Sequence, residues 1–305
     1  MPKHPTSAPA TEQKNPRTRG IDLRTTREIV RAMNREDAEV PRAVARAIPQ
    51  IALAADAIAS ALARGGRLIY VGAGTSGRLA ALDAAECPPT FGVPREMVVA
   101  LIAGGARALT AAVEGAEDDA AAGGRDLRRA RCSKRDVVVG LSASGRTPFV
   151  LGALEAARRA GARTIAVVCN RGTLLARAAE IAIVAETGPE AIAGSTRLKA
   201  GTAQKLILNM LSTAAMIRLG RVYDNWMAGV AQTNRKLRAR AVGILREAAG
   251  TGEAAARRAL AGARGDLRVA LVMLKRGVTR DQAEFALAAA SGDLRGAVGE
   301  RRWRR

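Results

Sequence analysis

Aromatic side chains make up only 2% of this 305-residue chain: three Phe, two Trp and two Tyr. That scarcity removes the stacking platforms on which single-stranded nucleic acid is held. Histidine is scarcer still, with His4 alone near the start of the chain. A histidine-based triad and a His-ligated metal site are thereby excluded, and acid/base chemistry falls to carboxylates, lysine, tyrosine or cysteine. The three cysteines, Cys87, Cys132 and Cys169, are too few and too irregularly spaced for a zinc site or a disulfide framework. Cys169 ends an apolar run and reads as a small core residue. No apolar stretch reaches the roughly 18 residues of a membrane span. Residues 1–20, rich in Pro, Thr, Lys and Arg, lack an apolar signal region and read as a disordered basic tail on a cytoplasmic protein.

Apolar residues, at 48%, are ample for a large core. The formal charge of +21 comes almost wholly from arginines scattered along the polar sides of helical patterns. With so much Ala and Gly beside it, this is the composition of a GC-rich genome and not a nucleic-acid or membrane footprint. Such a surface attracts polyanions without specificity.

Residues 21–64 read as helices, with a break at Asn34-Arg-Glu-Asp37. Apolar strand runs follow at 68–71, 97–102, 137–141, 164–168 and 181–184. Helical runs alternate with them near 77–86, 106–113, 118–131 and 148–159. Continuous apolar strands separated by helices indicate an α/β fold: a three-layer arrangement of a parallel sheet flanked by helices. From Gly194 onward the pattern is helical, with long stretches at 198–219 and 222–249. Gly250-Thr-Gly252 marks a boundary, so a main domain at 21–249 and a small all-helical domain at 250–305 are expected. Within the latter, Gly-Asp-Leu-Arg occurs twice, at 265–268 and 292–295.

Two strand ends carry hydroxyl-rich turns. Gly72-Ala-Gly-Thr-Ser-Gly77 follows the first strand and opens a helix. Unpaired N–H groups and the partial positive charge of a helix start suit a phosphate there, with Thr75, Ser76 and Gly77 as its contacts. The spacing also fits a dinucleotide-binding turn, but that reading needs an acid at the end of the second strand, where Leu101-Ile-Ala-Gly-Gly105 has none. Ser142-Ala-Ser-Gly-Arg-Thr147 recurs at another strand end. Ser142, Ser144, Gly145 and Thr147 could ring a phosphate without a metal. Alone, this turn is equally an ordinary Ser/Thr-capped helix start before Pro148. Glu86 closes the short helix begun at Gly77, just before Pro88-Pro89, which should stop it. Glu117 lies in an acidic helix break, and the residues alone do not separate it from Glu114.

Residues 72–90, 103–118, 142–148, Gly194-Ser-Thr-Arg-Leu-Lys-Ala-Gly-Thr-Ala-Gln-Lys205 and Thr233-Asn-Arg-Lys-Leu237 together resemble the bacterial N-acetylmuramic acid 6-phosphate etherases of the SIS phosphosugar-binding superfamily. The likeness runs in one register from about residue 21 to residue 237. The C-terminal helices resemble, less distinctively, the family's ubiquitin-associated-like (UBA-like) domain. One departure is Met227-Ala-Gly229, where Met-Val-Asp is expected. The resemblance implies cleavage of the lactyl ether of N-acetylmuramic acid 6-phosphate to N-acetylglucosamine 6-phosphate and D-lactate. It also implies that Glu86 and Glu117 are the acid/base pair, that Ser142, Ser144 and Thr147 hold phosphate, and that Glu190 contacts the sugar. A homodimer is the form it implies.

An ether is hard to cleave, but this one is β to a latent aldehyde. Ring opening makes the C2 proton removable, lactate leaves from C3 with help from an acid, and water adds by the reverse roles. Two carboxyl groups in opposite protonation states suffice; no metal or nicotinamide cofactor is called for. Glu117 as base and Glu86 as acid is the preferred order, and the reverse order stays open. The rivals are a noncatalytic sugar-phosphate sensor, a ketose/aldose isomerase and a nicotinamide enzyme. Against the sensor, residues 1–20 cannot form a DNA-binding domain, and the chain has room for one sugar-binding domain where kinase-regulating relatives have two.

Overall fold

Five strands, β1 (Leu68–Gly72), β2 (Val98–Ile102), β3 (Val137–Leu141), β4 (Arg163–Val168) and β5 (Ile181–Val184), pair in the order β2-β1-β3-β4-β5 with every neighbour parallel. The structure is a computed structural model that describes residues 8–230 and 235–300. His4, Thr233 and Asn234 lie outside the described residues. No single helix among those residues is long and apolar enough to cross a membrane.

The chain divides into two compact units, Met1–Ala85 with Glu96–Ser212, and Glu86–Arg95 with Thr213–Arg305. In the first unit the strands are apolar without alternation because both sheet faces are covered. Ile69, Val71, Val138, Ala166 and Val168 share a core with Phe149, Val150 and Leu154 of α6 (Pro148–Arg159) and Leu127 of α5 (Ala120–Arg129). The alternate set, including Leu68, Val137, Val139 and Ile165, is equally buried on the other face, against which α3 (Ile48–Ala63) packs. Before α3 come α1 (Thr26–Asp37), started by a Thr25–Glu28 capping box, and α2 (Val40–Ala45). The helix α7 (Leu174–Ala178) joins β4 to β5, and α8 (Lys199–Arg218) follows the sheet.

Helix α4 (Gly74–Phe91) differs from expectation: it runs through Pro88 and Pro89 instead of stopping before them. Proline removes its own N–H but leaves its carbonyl able to accept, and Gly92 N–H donates to the Pro88 carbonyl at 2.9 Å. The helix ends at Gly92, which has φ +61°. The expected helix at 106–113 is only a 3₁₀ turn, Gly105–Leu109.

The expected disordered tail is also corrected over residues 8–20. That segment forms 3₁₀ turns at Ala10–Glu12 and Pro16–Thr18, with Thr11, Asn15 and Thr18 buried. Its anchors are polar, which is why an apolar-pattern reading passes over it.

In the second unit the expected helix over 222–249 begins late. Residues 222–227 form a hairpin, β6 (Val222–Tyr223) and β7 (Trp226–Met227), turned at Asp224 with φ +53°. The helix α9 (Arg235–Ala249) then shares one core with α10 (Glu253–Gly262), α11 (Leu267–Arg276), α12 (Arg280–Ala289) and α13 (Leu294–Val298). Tyr223 and Ile244 belong to that core, so the division falls before the expected 249/250 boundary. The repeated Gly-Asp-Leu-Arg is one local device used twice. Gly265 and Gly292 take φ of +85° and +81°, and Asp266 and Asp293 then cap α11 and α13. Gly229, the departure from Met-Val-Asp, sits where a Cβ would overlap the Phe91 carbonyl, so this packing admits no larger residue.

The backbones of α5 and α6 approach through paired glycines. A Cβ on Gly123 would strike the Phe149 carbonyl, and one on Gly152 would strike the Ala120 carbonyl. Gly152→Ala should force the two helices apart and cost about 1–3 kcal/mol; a lowered urea midpoint checks this, and an unchanged midpoint contradicts it.

Candidate active site

The strands β1 and β3 are neighbours, with Gly72 opposite Leu141, so the two hydroxyl turns leave the sheet side by side at its carboxyl edge. This is where strand order reverses, with β2 on one side of β1 and β3 on the other.

The first turn is packed too closely for side chains. A Cβ on Gly72 would lie 2.7 Å from Gly77 N, and one on Gly77 would lie 2.5 Å from Ile102 Cγ1. The start of α4 thus folds directly onto the strand end. Thr75 is half-buried and Ser76 buried. The Ser76 hydroxyl donates to Gln204 Oε1 at 2.8 Å, while the buried Gln204 Nε2 has no protein partner. Seven residues further along α4, the buried Asp83 accepts from Tyr70 OH at 2.9 Å and from Ser212 Oγ at 3.1 Å. Burial pushes the Asp83 carboxyl up, against the opposing pull of the Tyr70 and Ser212 hydroxyls. Gln204 and Ser212 lie two turns apart on α8, so α8 grips α4 at two points. Neither Gln204 nor Asp83 was singled out from sequence, although both lie inside the quoted motifs.

In the second turn Gly145 has φ +67° and its missing Cβ would overlap the Thr173 side chain, so only glycine fits. Ser142 Oγ lies 2.7 Å from Thr147 Oγ1 and 3.4 Å from Ser144 Oγ, and it accepts from Gly145 N at 3.0 Å. Ser144 Oγ accepts from Arg146 N at 3.3 Å. Thr147 occupies the cap position of α6 but makes no side-chain cap bond. The structure therefore gathers Ser142, Ser144, Gly145 and Thr147 into one cluster.

Glu190 is placed differently from a sugar contact. It is fully buried, and its two carboxylate oxygens accept from Lys199 N and Ala200 N, both at 2.9 Å. It caps α8, and burial pushes its carboxyl up despite those two donors. Lys199 is also fully buried, and its ammonium donates to Glu36 Oε2 at 2.7 Å. Glu36 further accepts from Arg17 Nε at 2.6 Å and Asn15 Nδ2 at 2.7 Å. Burial would raise the Glu36 carboxyl, but Arg17, Lys199 and Asn15 outweigh it and hold it at about 2.

The two expected acid/base residues are both exposed. Glu117 sits in the 3₁₀ turn Ala116–Asp118 of the first unit, and Glu86 lies within α4 in the part assigned to the second unit. Among the described residues no group of three His, Cys, Asp or Glu side chains is placed to hold a metal ion.

Comparison with known proteins agrees with this architecture. Residues 50–158 match the family profile of the glucokinase regulatory protein N-terminal SIS domain, and residues 119–214 that of the SIS domain. An N-acetylmuramic acid 6-phosphate etherase from Brucella anthropi is 52% identical over 287 residues, spanning 94% of each chain. The protein of that name from Aeromonas hydrophila is 52% identical over 94% of this chain and 96% of its own. That from Geobacillus thermodenitrificans is 50% identical over 95% of this chain and 98% of its own. The solved structure of a capsule-formation protein from Bacteroides fragilis superposes with a TM-score of 0.51 at 18% identity. It covers 68% of this chain and 98% of that one, a likeness of fold.

The buried Glu36 cluster makes a measurable demand. Its folded-state carboxyl lies at about 2, below the ordinary 4.5, so its stabilisation is fully present above pH 4.5 and is lost as pH falls towards 2. Glu36→Gln leaves Lys199 buried without an anion and should cost about 3–5 kcal/mol at neutral pH. Thermal melts across that acid range should show a flatter limb in the variant. Identical melting curves for the two proteins would refute the assignment.

Proposed function

The chain belongs to the N-acetylmuramic acid 6-phosphate etherase family, and from that footing we propose how it cleaves the D-lactyl ether of N-acetylmuramic acid 6-phosphate. The activity is that of a carbon–oxygen lyase, giving N-acetylglucosamine 6-phosphate and D-lactate in the recycling of cell-wall amino sugar. Kinship over nearly the whole chain is the observation that carries it. The hydroxyl cluster at the start of α6 supports the placing of the phosphate.

In this reading the phosphate sits on the Ser142, Ser144 and Thr147 hydroxyls and the uncapped N–H groups of α6, with Thr75, Ser76 and the Gly77 amide contributing from the neighbouring turn. Opening of the sugar ring exposes C1 as an aldehyde. The Glu117 carboxylate takes the C2 proton, electrons move into the C2–C3 bond, and the C3–O bond breaks. Glu86, protonated, gives its proton to the departing lactate oxygen. The Glu86 carboxylate then takes a proton from water as its oxygen adds to C3, and Glu117 returns a proton to C2. The net reaction consumes one water, and each carboxyl group ends as it began.

Both glutamates are exposed in the free chain, so bound sugar, and not either unit's own core, would exclude water around them. Glu190 serves in this reading by fixing the start of α8 instead of by touching sugar. We take the working form to be a cytoplasmic homodimer with the C-terminal helices as the family's UBA-like domain, as the family likeness suggests.

Purified protein incubated with N-acetylmuramic acid 6-phosphate should release D-lactate, and Glu86→Ala should reduce release by at least about 100-fold, the scale of one acid/base group. In deuterated water, Glu117→Ala should abolish C2 exchange, whereas Glu86→Ala should retain it. Normal exchange in the Glu117 variant would reverse the two roles. Saturable sugar-phosphate binding without lactate would favour a sensor.

A further inference from the structure

Residues 8–20 are anchored by buried polar side chains, and those side chains reach the loop that caps α8 and, through Asn170, the hydroxyl turn of the proposed phosphate site. Thr11 is fully buried, with Asn15 and Thr18 at 5% and 6% exposure. Asn15 Nδ2, besides its bond to Glu36, donates to the Pro189 carbonyl at 3.2 Å, and Thr18 Oγ1 donates to the Ala191 carbonyl at 2.9 Å. These are the carbonyls on either side of Glu190, the cap of α8. Gly194 N donates to the Thr11 carbonyl at 3.2 Å, closing the same loop from its far end.

The second connection runs through Asn170, just beyond the end of β4 and 7% exposed. Its Nδ2 donates to Thr11 Oγ1 at 3.1 Å and to the Ala143 carbonyl at 2.9 Å, and its Oδ1 accepts from Thr11 N at 3.4 Å. Ala143 lies between Ser142 and Ser144. Thr11 therefore holds the Asn170 amide in the one orientation that presents a donor to the backbone of the hydroxyl turn. A segment serving only as a tether could be pinned anywhere by apolar contacts. This one places its donors and acceptors on the backbone of the loop that caps α8 and on Asn170, which in turn bonds the hydroxyl turn.

We propose that residues 8–20 form a strap that pre-organises the sugar-phosphate site, with Thr11, Asn15 and Asn170 as positioning residues. The proposal rests on the reading that residues 142–147 hold the phosphate. Without the Thr11 hydroxyl, the Asn170 amide loses one of its two donor contacts and is held to the strap only by the longer bond from Thr11 N, so its hold on the Ala143 carbonyl slackens. The turn then loses rigidity before substrate arrives, and the ordering is charged to binding.

The test is Thr11→Val, which keeps the volume and removes the hydroxyl, with Thr11→Ser as the conservative rescue. Binding of N-acetylglucosamine 6-phosphate, measured by calorimetry, needs no turnover. KM and kcat for lactate release and the melting temperature complete the readout. Thr11→Val should weaken binding and raise KM by about tenfold, the effect of roughly one lost hydrogen bond, with kcat within about twofold and Thr11→Ser near wild type. Should Thr11→Val not fold, Asn170→Ala, which removes the donor to the Ala143 carbonyl, should show the same split. A lowered melting temperature with wild-type binding and KM would overturn the proposal and leave the strap a tether. If the wild-type protein binds the sugar phosphate without releasing lactate, the etherase mechanism fails while the binding comparison still decides on the strap. If the wild-type protein does not bind it, the phosphate site and the strap fall together.

Discussion

Lys199 carries its ammonium at 0% exposure, and a charge so placed persists only with an anion held against it. Glu36 supplies that anion from α1, a helix 163 residues away in sequence. Because the carboxylate is itself buried, it needs more donors than one lysine can offer, and Asn15 and Arg17 provide them. One desolvated pair thus draws together α1, the first turn of α8 and the N-terminal segment. The same turn of α8 is completed by Glu190, whose two oxygens take the Lys199 and Ala200 N–H groups. Such a pair is not an economical source of stability, since an apolar replacement of equal volume often does as well. Its value here is geometric, because α8 can start in only one place.

With α8 so fixed, Gln204 meets Ser76 and Ser212 meets Asp83, and the first turn of α4 is held against the sheet. The other side of that turn is set by what is missing. Gly72 and Gly77 leave no room for a Cβ, so backbone amides and the neighbouring hydroxyls stand where a phosphate could reach them. The turn after β3 is built by the same economy, with Gly145 lying against Thr173. Pairing of β1 with β3 then puts the two turns next to each other, a consequence of strand order alone.

That part of the molecule was legible in the sequence because its determinants are local. A strand buried on both faces is an unbroken apolar run, and the limits of β3 and α6 follow from such runs and from Pro148. The hydroxyl turns are consecutive residues. By contrast, Ser76 with Gln204 and Thr11 with Asn170 are side-chain pairs 128 and 159 residues apart, and no periodicity announces them. Residues 8–20 looked disordered because their composition is polar, and it is polar because hydrogen bonds, not apolar burial, hold them. The Pro-Pro pair misled for a different reason. A helix-stopping rule concerns the proline N–H and ring, but near a helix end the carbonyls still serve, as Gly92 shows with Pro88. The hairpin at 222–227 was hidden because two residues per strand are too few for an alternation to appear.

The division between rigid and exposed residues bears on the chemistry. Everything assigned to holding phosphate is buried or half-buried and attached to strand ends that cannot shift without disturbing the sheet, with the second turn bonded within itself and Ser76 bonded to α8. The two glutamates assigned to proton transfer are exposed, one in a 3₁₀ turn and one on a helix with two prolines in its last turns. A group that takes up and releases one proton per cycle can be exposed before substrate arrives, provided the bound sugar then shields it. A group that must bind a dianion profits from donors that need no reordering when it arrives. Binding energy from the phosphate, remote from the C3–O bond, is then available to order the carboxylates around the opened sugar. On this view the immobility of residues 142–147 is the condition for catalysis by side chains that are themselves loosely held. The strap at residues 8–20 belongs with the immobile part, because it adds no group to the reaction and only restrains the backbone on which the phosphate would rest.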